Sequence, residues 1–163
     1  ARRLIADARD QARSGQAEVR RALRIIKSID LSRRGLSVVI GLVQAFKNAT
    51  KIEILTDFSN CPQSFGEEID SFIYRFVQEG LTNAIHHGKA TKISLYFSIL
   101  ANQVVARVSD NGVGSGPVKE GIGLAGMRER LSRLGGTLES RSTAVGFELV
   151  ARIPRNVARD RGF

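Results

Sequence analysis

The chain has 163 residues, 42% of them apolar, which suits one compact globular domain with a short additional segment. Its one cysteine, Cys61, excludes an internal disulfide framework, and its two histidines are too few for a Cys/His zinc site. Residues 1–34 contribute +6 of the net charge of +9. Their charged residues lie at helical spacing without interleaved aromatic residues, so we expect no direct contact with nucleic acid.

No apolar run has the length of a membrane span, and no signal-peptide pattern is present. We therefore expect this segment to make no membrane contact and, with a single cysteine, to work in the reducing cytoplasm. Because the chain begins at Ala1 rather than at Met, we also expect it to be part of a longer protein, in which any sensor or membrane anchor would lie in absent N-terminal segments.

The first third of the chain predicts two helices, a strand and a loop. Residues 1–34 carry one apolar stripe at steps of three and four, which is typical of an amphipathic helix that packs on another helix or on a second copy of itself. Residues 35–49 repeat this pattern, and residues 51–58 alternate apolar and polar residues like a half-buried strand. Residues 59–66 contain the asparagine, proline and glycine of a loop.

The longest predicted helix begins at Glu67, where acidic residues suit the helix dipole, and is closed by Gly88. Glu79, Asn83 and His87 are spaced i, i+4, i+8, so the helix stacks them along one face. A carboxylate and an amide oxygen in this arrangement suit a water-rich Mg²⁺ site, and the carboxylate could also accept a proton from a nucleophile. The alternative is the solvent-exposed side of an ordinary amphipathic helix.

The second half of the chain predicts two antiparallel strand pairs separated by a helix. The four strands are predicted at 92–99, 103–109, 137–142 and 146–153. The intervening helical run begins at Met127, and the polar tail at 155–163 is expected to fray. Strands on one side and helices on the other predict a two-layer α/β sandwich, a mixed sheet covered by helices on one face.

Two glycine motifs follow the long helix. Asp110–Gly114 has the pattern Asp-x-Gly-x-Gly directly after a strand, and Gly121–Leu124 has the pattern Gly-x-Gly-Leu before a helix. One glycine-rich turn alone indicates only a turn. Together with Glu-xxx-Asn on the preceding helix, the two motifs form an ordered set of three, which is far more specific.

In these three motifs the chain resembles the ATP-binding catalytic domain of sensor histidine kinases, in the superfamily shared with DNA gyrase, the MutL proteins and a heat-shock ATPase chaperone. The runs QEGLTNAIHHGKA and GIGLAGMRERL are most similar to the nitrate- and lipid-sensor branch. The resemblance implies a Bergerat-type ATP-binding fold at 35–154 and a flexible tail at 155–163. Residues 1–34 would be a remnant of the dimerisation and phosphotransfer hairpin of a full-length homodimer; the alternative is a generic coiled-coil linker.

The resemblance assigns roles to matching residues. Asp110 would accept a hydrogen bond from the adenine amino group, and Gly112 and Gly114 would let the backbone pass close to the base and sugar. Asn83 would bind Mg²⁺ at the phosphates. Glu79 would act as a base or water-orienting group beside the same metal.

Further nucleotide-binding candidates lie around the phosphates. Gly121 and Gly123 match the glycines that border the phosphate lid, and the amides of the helix that follows, with Leu124, suit an anion. Lys119 in the lid is a candidate phosphate contact or else a solvated loop lysine. The adjacent histidines at 86–87 are also assigned to the nucleotide site.

Three departures from the family pattern concern the same site. His86 replaces a Lys or Arg, so that a fixed positive charge becomes dependent on pH. Phe147 replaces a Thr whose hydroxyl helps to hold adenine, and the lid at 115–120 is short. These departures put efficient phosphoryl transfer in question more than ATP binding.

The resemblance thus implies a protein-histidine kinase that uses ATP and Mg²⁺ and passes the phosphoryl group to a response regulator with helix-turn-helix output. No histidine precedes His86, so the phosphoacceptor would lie outside this chain. Two alternatives remain: an anti-sigma-factor-type serine kinase, which the basic N-terminal segment disfavours, and a degraded nucleotide-binding or dimerisation module, which His86 and Phe147 keep open.

Overall fold

The structure is a computed structural model that describes residues 35–86, 89–113 and 121–155, together with the helical residues Arg21 and Arg24. The rest of the predicted N-terminal helix and the predicted tail beyond residue 155 lie outside the described residues. Within the described part, no helix has the length and apolar character needed to span a membrane.

The described part is a layer of helices on one face of an open five-stranded sheet. Its elements are α1 (Leu36–Ala49), β1 (Glu53–Asp57), α2 (Glu67–His86), β2 (Lys92–Leu100), β3 (Gln103–Asp110), α3 (Ile122–Arg133), β4 (Thr137–Thr143) and β5 (Gly146–Pro154). The strands lie in the order β1-β2-β3-β5-β4; β1 and β2 are parallel, and the other neighbouring pairs are antiparallel. The predicted mixed α/β sheet with helices is confirmed.

Most predicted elements begin and end within two residues of their observed bounds, but α3 differs. It begins at Ile122, well before Met127, although it then contains Gly123 and Gly126, which disfavour a helix. Leu124 and Met127 are buried in the core, so the burial of apolar side chains offsets the low helix propensity of the glycines. The strand β1 is shorter than predicted, and only its Ile54 is buried.

The core lies between the helices and one face of the sheet. In β3 the helix-facing residues alternate, and Val104, Ala106 and Val108 are all buried. On the helix side of this core, Phe76, Val77, Leu81 and Ala84 of α2 are fully buried. The opposite face of the sheet carries charged residues, including an ion pair between Arg107 and Glu148 at 3.6 Å.

The starts of α1 and α2 are joined through the loop between β1 and α2. Gly35, with a φ of 79°, lies so close to the loop that a Cβ there would be 2.1 Å from the carbonyl oxygen of Gln63. The same oxygen accepts the Leu36 N–H at 2.8 Å. The loop is held to α2 by Asp70, whose carboxylate accepts the Phe65 N–H at 2.9 Å.

Gly80 brings α2 into direct contact with β3. A Cβ on Gly80 would lie 2.6 Å from Cγ1 of Val108, closer than carbon atoms approach without displacement. Because Glu79 is the preceding residue and Asp110 follows Val108 on the same side of β3, this contact also sets the separation of two predicted site residues.

We predict that Gly80→Ala destabilises the domain by about 1 kcal/mol or more, because overpacking outweighs the gain in helix propensity. The matched control is Gly41→Ala in α1, where a Cβ has no described atom within 4 Å, and which should stabilise by up to about 1 kcal/mol. Urea unfolding of both variants measures the difference. Equal stabilisation by the two substitutions would show that α2 does not lie this close to β3.

Candidate functional site

Glu79 and Asn83 lie one turn apart on α2, and both side chains are partly buried. The Glu79 carboxylate lies against the start of α3: a Cβ on Gly123 would be 2.1 Å from Glu79 Oε1. The predicted helix motif and the predicted phosphate-lid glycine are therefore in contact. Asn83 continues the same face of α2 toward its C-terminal end.

Asp110 is the last residue of β3 and lies on the helix-facing side of the sheet, two residues after Val108. One carboxylate oxygen, Oδ1, accepts the Gly112 N–H at 2.8 Å and so shapes the turn that follows. Oδ2 makes no hydrogen bond with the described residues. The side chain thus has one oxygen committed to the protein and one able to accept from a ligand.

Asn111 joins the end of β3 to the start of β2. Its Oδ1 accepts the N–H groups of Thr91 at 2.9 Å and Lys92 at 2.8 Å, and its Nδ2 donates to Thr91 Oγ1 at 2.9 Å. Its backbone N–H donates to the Lys92 carbonyl at 3.1 Å. The sequence did not predict this role of Asn111. An Asn directly after a strand indicated it only weakly, because the partners lie about twenty residues away in the chain.

Gly146 brings the start of β5 beside Asp110. Its φ is 141°, and a Cβ there would lie 1.8 Å from the Asp110 carbonyl oxygen, so only glycine fits. The next residue, Phe147, pairs with Asp110 in the strand register and therefore faces the same side of the sheet, partly buried against the core. The family's Thr hydroxyl would stand at this place, beside the candidate adenine acceptor.

The first turn of α3 has the Glu79 carboxylate beside it and, among the described residues, no side-chain cap. Gly121 precedes the helix without a side-chain cap from the described residues, and the first turn has no acidic residue. Unpaired N–H groups and the helix dipole at such an end favour phosphate. Ile122 is 96% exposed at this rim, whereas the Leu124 side chain is buried in the core, so nucleotide contact by Leu124 stays a prediction.

Several predicted site residues fall outside the described part of the chain. These are His87, Gly114 and Lys119, together with the rest of the predicted lid. His86 is the last residue of α2, and only its place in the helix is described. The roles assigned to these residues stay predictions.

The oxygen donors of α2 fit Mg²⁺. Among the described residues, no group of three or more His, Cys, Asp or Glu side chains could hold a metal by itself. Mg²⁺ commonly uses one or two protein oxygens and completes its octahedron with phosphate oxygens and water. One carboxylate and one amide, Glu79 and Asn83, on one partly buried face provide such a partial set.

These geometric features agree with the comparisons to known proteins. Residues 68–157 match the family described as "Histidine kinase-, DNA gyrase B-, and HSP90-like ATPase". The chain belongs to this family. It is 31% identical over 148 residues to the sensor histidine kinase LiaS of Bacillus subtilis (strain 168), covering 88% of this chain and 41% of LiaS.

A second relative and a solved structure agree with this family. The oxygen sensor histidine kinase NreB of Staphylococcus carnosus (strain TM300) is 33% identical over 128 residues, covering 68% of this chain and 36% of NreB. The chain therefore spans less than half the length of either relative. The histidine kinase domain of the Erythrobacter litoralis EL346 blue-light activated histidine kinase has a TM-score of 0.57 at 19% identity, covering 86% of this chain and 75% of that chain, which supports the fold alone.

The predicted family is thus confirmed: the chain carries an ATP-binding catalytic domain of the histidine-kinase type. The matched region runs from the second residue of α2 through β5. The roles of individual residues and the division of the chain at residues 34 and 154 remain predictions.

We predict that Asn111→Ala lowers the free energy of unfolding by about 1–3 kcal/mol, because three side-chain hydrogen bonds are lost. It should also weaken adenine-nucleotide binding, since Asp110 loses its fixed neighbour. Chemical denaturation and calorimetric titration measure the two effects. The control is Asn48→Ala, at an exposed position of α1, which should change neither. Lost stability with unchanged nucleotide affinity would limit the role of Asn111 to the fold.

Proposed function

We propose that this chain binds ATP with Mg²⁺ and transfers the γ-phosphoryl group to a histidine outside the chain, from which an aspartate of a response regulator receives it. The observation that supports this proposal is that packing contacts link the residue proposed to bind adenine with the glycine proposed to border the phosphates. The link runs from Asp110 along β3 to Val108, across to Gly80 and Glu79 on α2, and on to Gly123 at the start of α3.

The adenine end is Asp110. Its Oδ2 would accept the exocyclic amino group of adenine, while Oδ1 stays bound to the Gly112 N–H. A carboxylate cannot donate, so the site would favour adenine over guanine, which presents an acceptor at the corresponding position. The backbone beside this carboxylate is held by the starts of β2 and β5, which reduces the conformational entropy lost on binding.

The phosphate end would lie between α2 and the first turn of α3. Asn83 and Glu79 would hold Mg²⁺, which when bound neutralises phosphate charge. The N–H groups at the start of α3 would contact phosphate oxygens. A nitrogen of the acceptor imidazole would form a bond to the γ-phosphorus in line with the departing oxygen, and ADP would leave with the electron pair of the broken P–O bond.

In this reaction the residues of the chain act mainly by positioning. Glu79 would orient the attacking imidazole or a water molecule, and Asp110 would hold the base so that the phosphates reach α3. We further propose a division into a helical dimerisation segment at 1–34, a catalytic domain at 35–154 and a tail at 155–163. The full-length protein would be a homodimer acting in the cytoplasm on a regulator with helix-turn-helix output, as the resemblance implies.

A catalytically degraded nucleotide-binding module is the second candidate, and Phe147 favours it. This side chain faces the same side as Asp110, at the position where the family has a hydroxyl. Phe offers no hydrogen bond to the base or to the carboxylate. Such a module would keep the fold while losing nucleotide affinity or turnover.

We predict that the chain binds ADP and a non-hydrolysable ATP analogue in calorimetric titration, and that Asp110→Asn weakens both by about tenfold to about a hundredfold. The Gly112 N–H would hold the remaining amide oxygen, so the new NH₂ group would face the adenine NH₂, donor against donor. The control is Asp57→Asn, an exposed change at the end of β1. No binding of either nucleotide by the unsubstituted chain would favour the degraded module.

We predict that Asn83→Ala removes most of the gain in nucleotide affinity that Mg²⁺ provides, while metal-free ADP affinity and the unfolding transition stay the same. The reason is that an amide oxygen on α2 would bind the metal without contacting the base. Titrations with Mg²⁺ and with a chelator measure the effect. Unchanged affinity for the Mg²⁺ complex would contradict the assignment of Asn83.

A further inference from the structure

The glycines at the start of α3 differ in what surrounds them. A Cβ on Gly121 or on Gly126 would have no described atom within 4 Å. A Cβ on Gly123 would lie 2.1 Å from Oε1, 2.6 Å from Cδ and 2.8 Å from Oε2 of Glu79. All three nearest atoms belong to one carboxylate, which therefore occupies the space that a side chain at position 123 would take.

Backbone conformation does not explain a glycine at this position. Gly123 lies inside α3, and its φ is not in the left-handed region. Within a helix, glycine is less favourable than alanine by about 1 kcal/mol. What distinguishes position 123 is the space beside it, which the Glu79 carboxylate occupies.

Packing on the core holds both helices in place beside position 123. On α2, Gly80 is in contact with Val108 of β3, and Val77 and Leu81 are fully buried around it. On α3, Leu124 is buried directly after Gly123. Close-packed apolar contacts resist displacement, whereas the carboxylate stands at the end of a flexible side chain. An added methyl group at 123 would thus displace the Glu79 carboxylate rather than a helix.

The position of the Glu79 carboxylate has an electrostatic consequence. It lies at the positive end of the α3 dipole, where the first turn has no acidic residue of its own. A phosphate that approaches the same helix end meets the negative charge of Glu79. A divalent cation between the two groups turns this repulsion into attraction.

We propose that Gly123 is a positioning residue whose missing side chain holds the Glu79 carboxylate at the first turn of α3, and that this placement makes nucleotide binding dependent on Mg²⁺. The inference rests on the proposed function, because it concerns how the same site recognises the metal–nucleotide complex. Gly123 acts through Glu79 and need not touch the nucleotide.

The test is a double-substitution cycle read by calorimetry. The probe is the non-hydrolysable ATP analogue, titrated with Mg²⁺ and with a chelator. The readout is the dissociation constant with the chelator divided by that with Mg²⁺, so a larger ratio means a larger gain in affinity from the metal. Gly123→Ala should lower this ratio by about tenfold, the effect of losing one contact to a charged group. Metal-free ADP affinity should not fall, because displacing the carboxylate moves away a negative charge that faces the phosphates.

Two comparisons isolate the carboxylate. Gly126→Ala adds the same methyl group to the same helix in open space, and should keep the ratio of the unsubstituted chain. In a Glu79→Ala background, Gly123→Ala should have no further effect on the ratio, because the group it displaces is absent. Thermal unfolding of all variants provides a second cycle: any loss of stability caused by Gly123→Ala should also disappear when Glu79 is removed.

The outcomes separate this inference from the proposed function. If the unsubstituted chain binds neither nucleotide, both are overturned. If the unsubstituted chain binds with Mg²⁺ dependence but Gly123→Ala leaves the ratio unchanged, the inference is overturned and the proposed function stands. The same conclusion follows if Gly123→Ala lowers the ratio equally in the Glu79→Ala background. If Gly123→Ala fails to fold in both backgrounds, the group beside Gly123 is not Glu79 alone, and the inference is likewise overturned.

Discussion

The close contact between Gly80 and Val108 determines where α2 lies on the sheet, and the candidate site depends on it. At that level the helix backbone lies directly on the Val108 side chain of β3, because Gly80 has no side chain of its own. Glu79, the preceding residue, is thereby held beside the start of α3, while Asp110 follows Val108 at the end of the same strand. A shift of α2 would change the distance between the predicted adenine and phosphate ends, and close packing resists such a shift.

The end of β3 is fixed by three neighbours at once. Gly146 lies against the Asp110 carbonyl oxygen, Asn111 bonds the start of β2, and the Asp110 carboxylate itself accepts the Gly112 N–H. Backbone shape, side-chain hydrogen bonds and strand register thus all help to fix the position of the Asp110 carboxylate. A group that discriminates between bases by a single hydrogen bond gains from this rigidity, because small displacements weaken directional contacts steeply.

Apolar periodicity predicted nearly all of the described elements, because burial follows the repeat of a helix or a strand. The three motifs also placed Glu79 within the long helix and Asp110 at the end of a strand, in agreement with their positions in α2 and β3. Sequence could not predict the start of α3, the bonds of Asn111 or the contact between Gly123 and Glu79. Each of these depends on residues far apart in the chain whose separation is decided only by how the helices pack on the sheet.

The glycine before α1 bears on how the start of that helix is joined to α2. Gly35 combines a left-handed backbone with a carbonyl oxygen of the loop at the place of its missing side chain, and that loop is held to α2 by Asp70. The first residue of α1 is thus held by the loop before α2 as well as by its own helix. A side chain at position 35 would push that loop away and so disturb the start of the helix that carries Glu79 and Asn83.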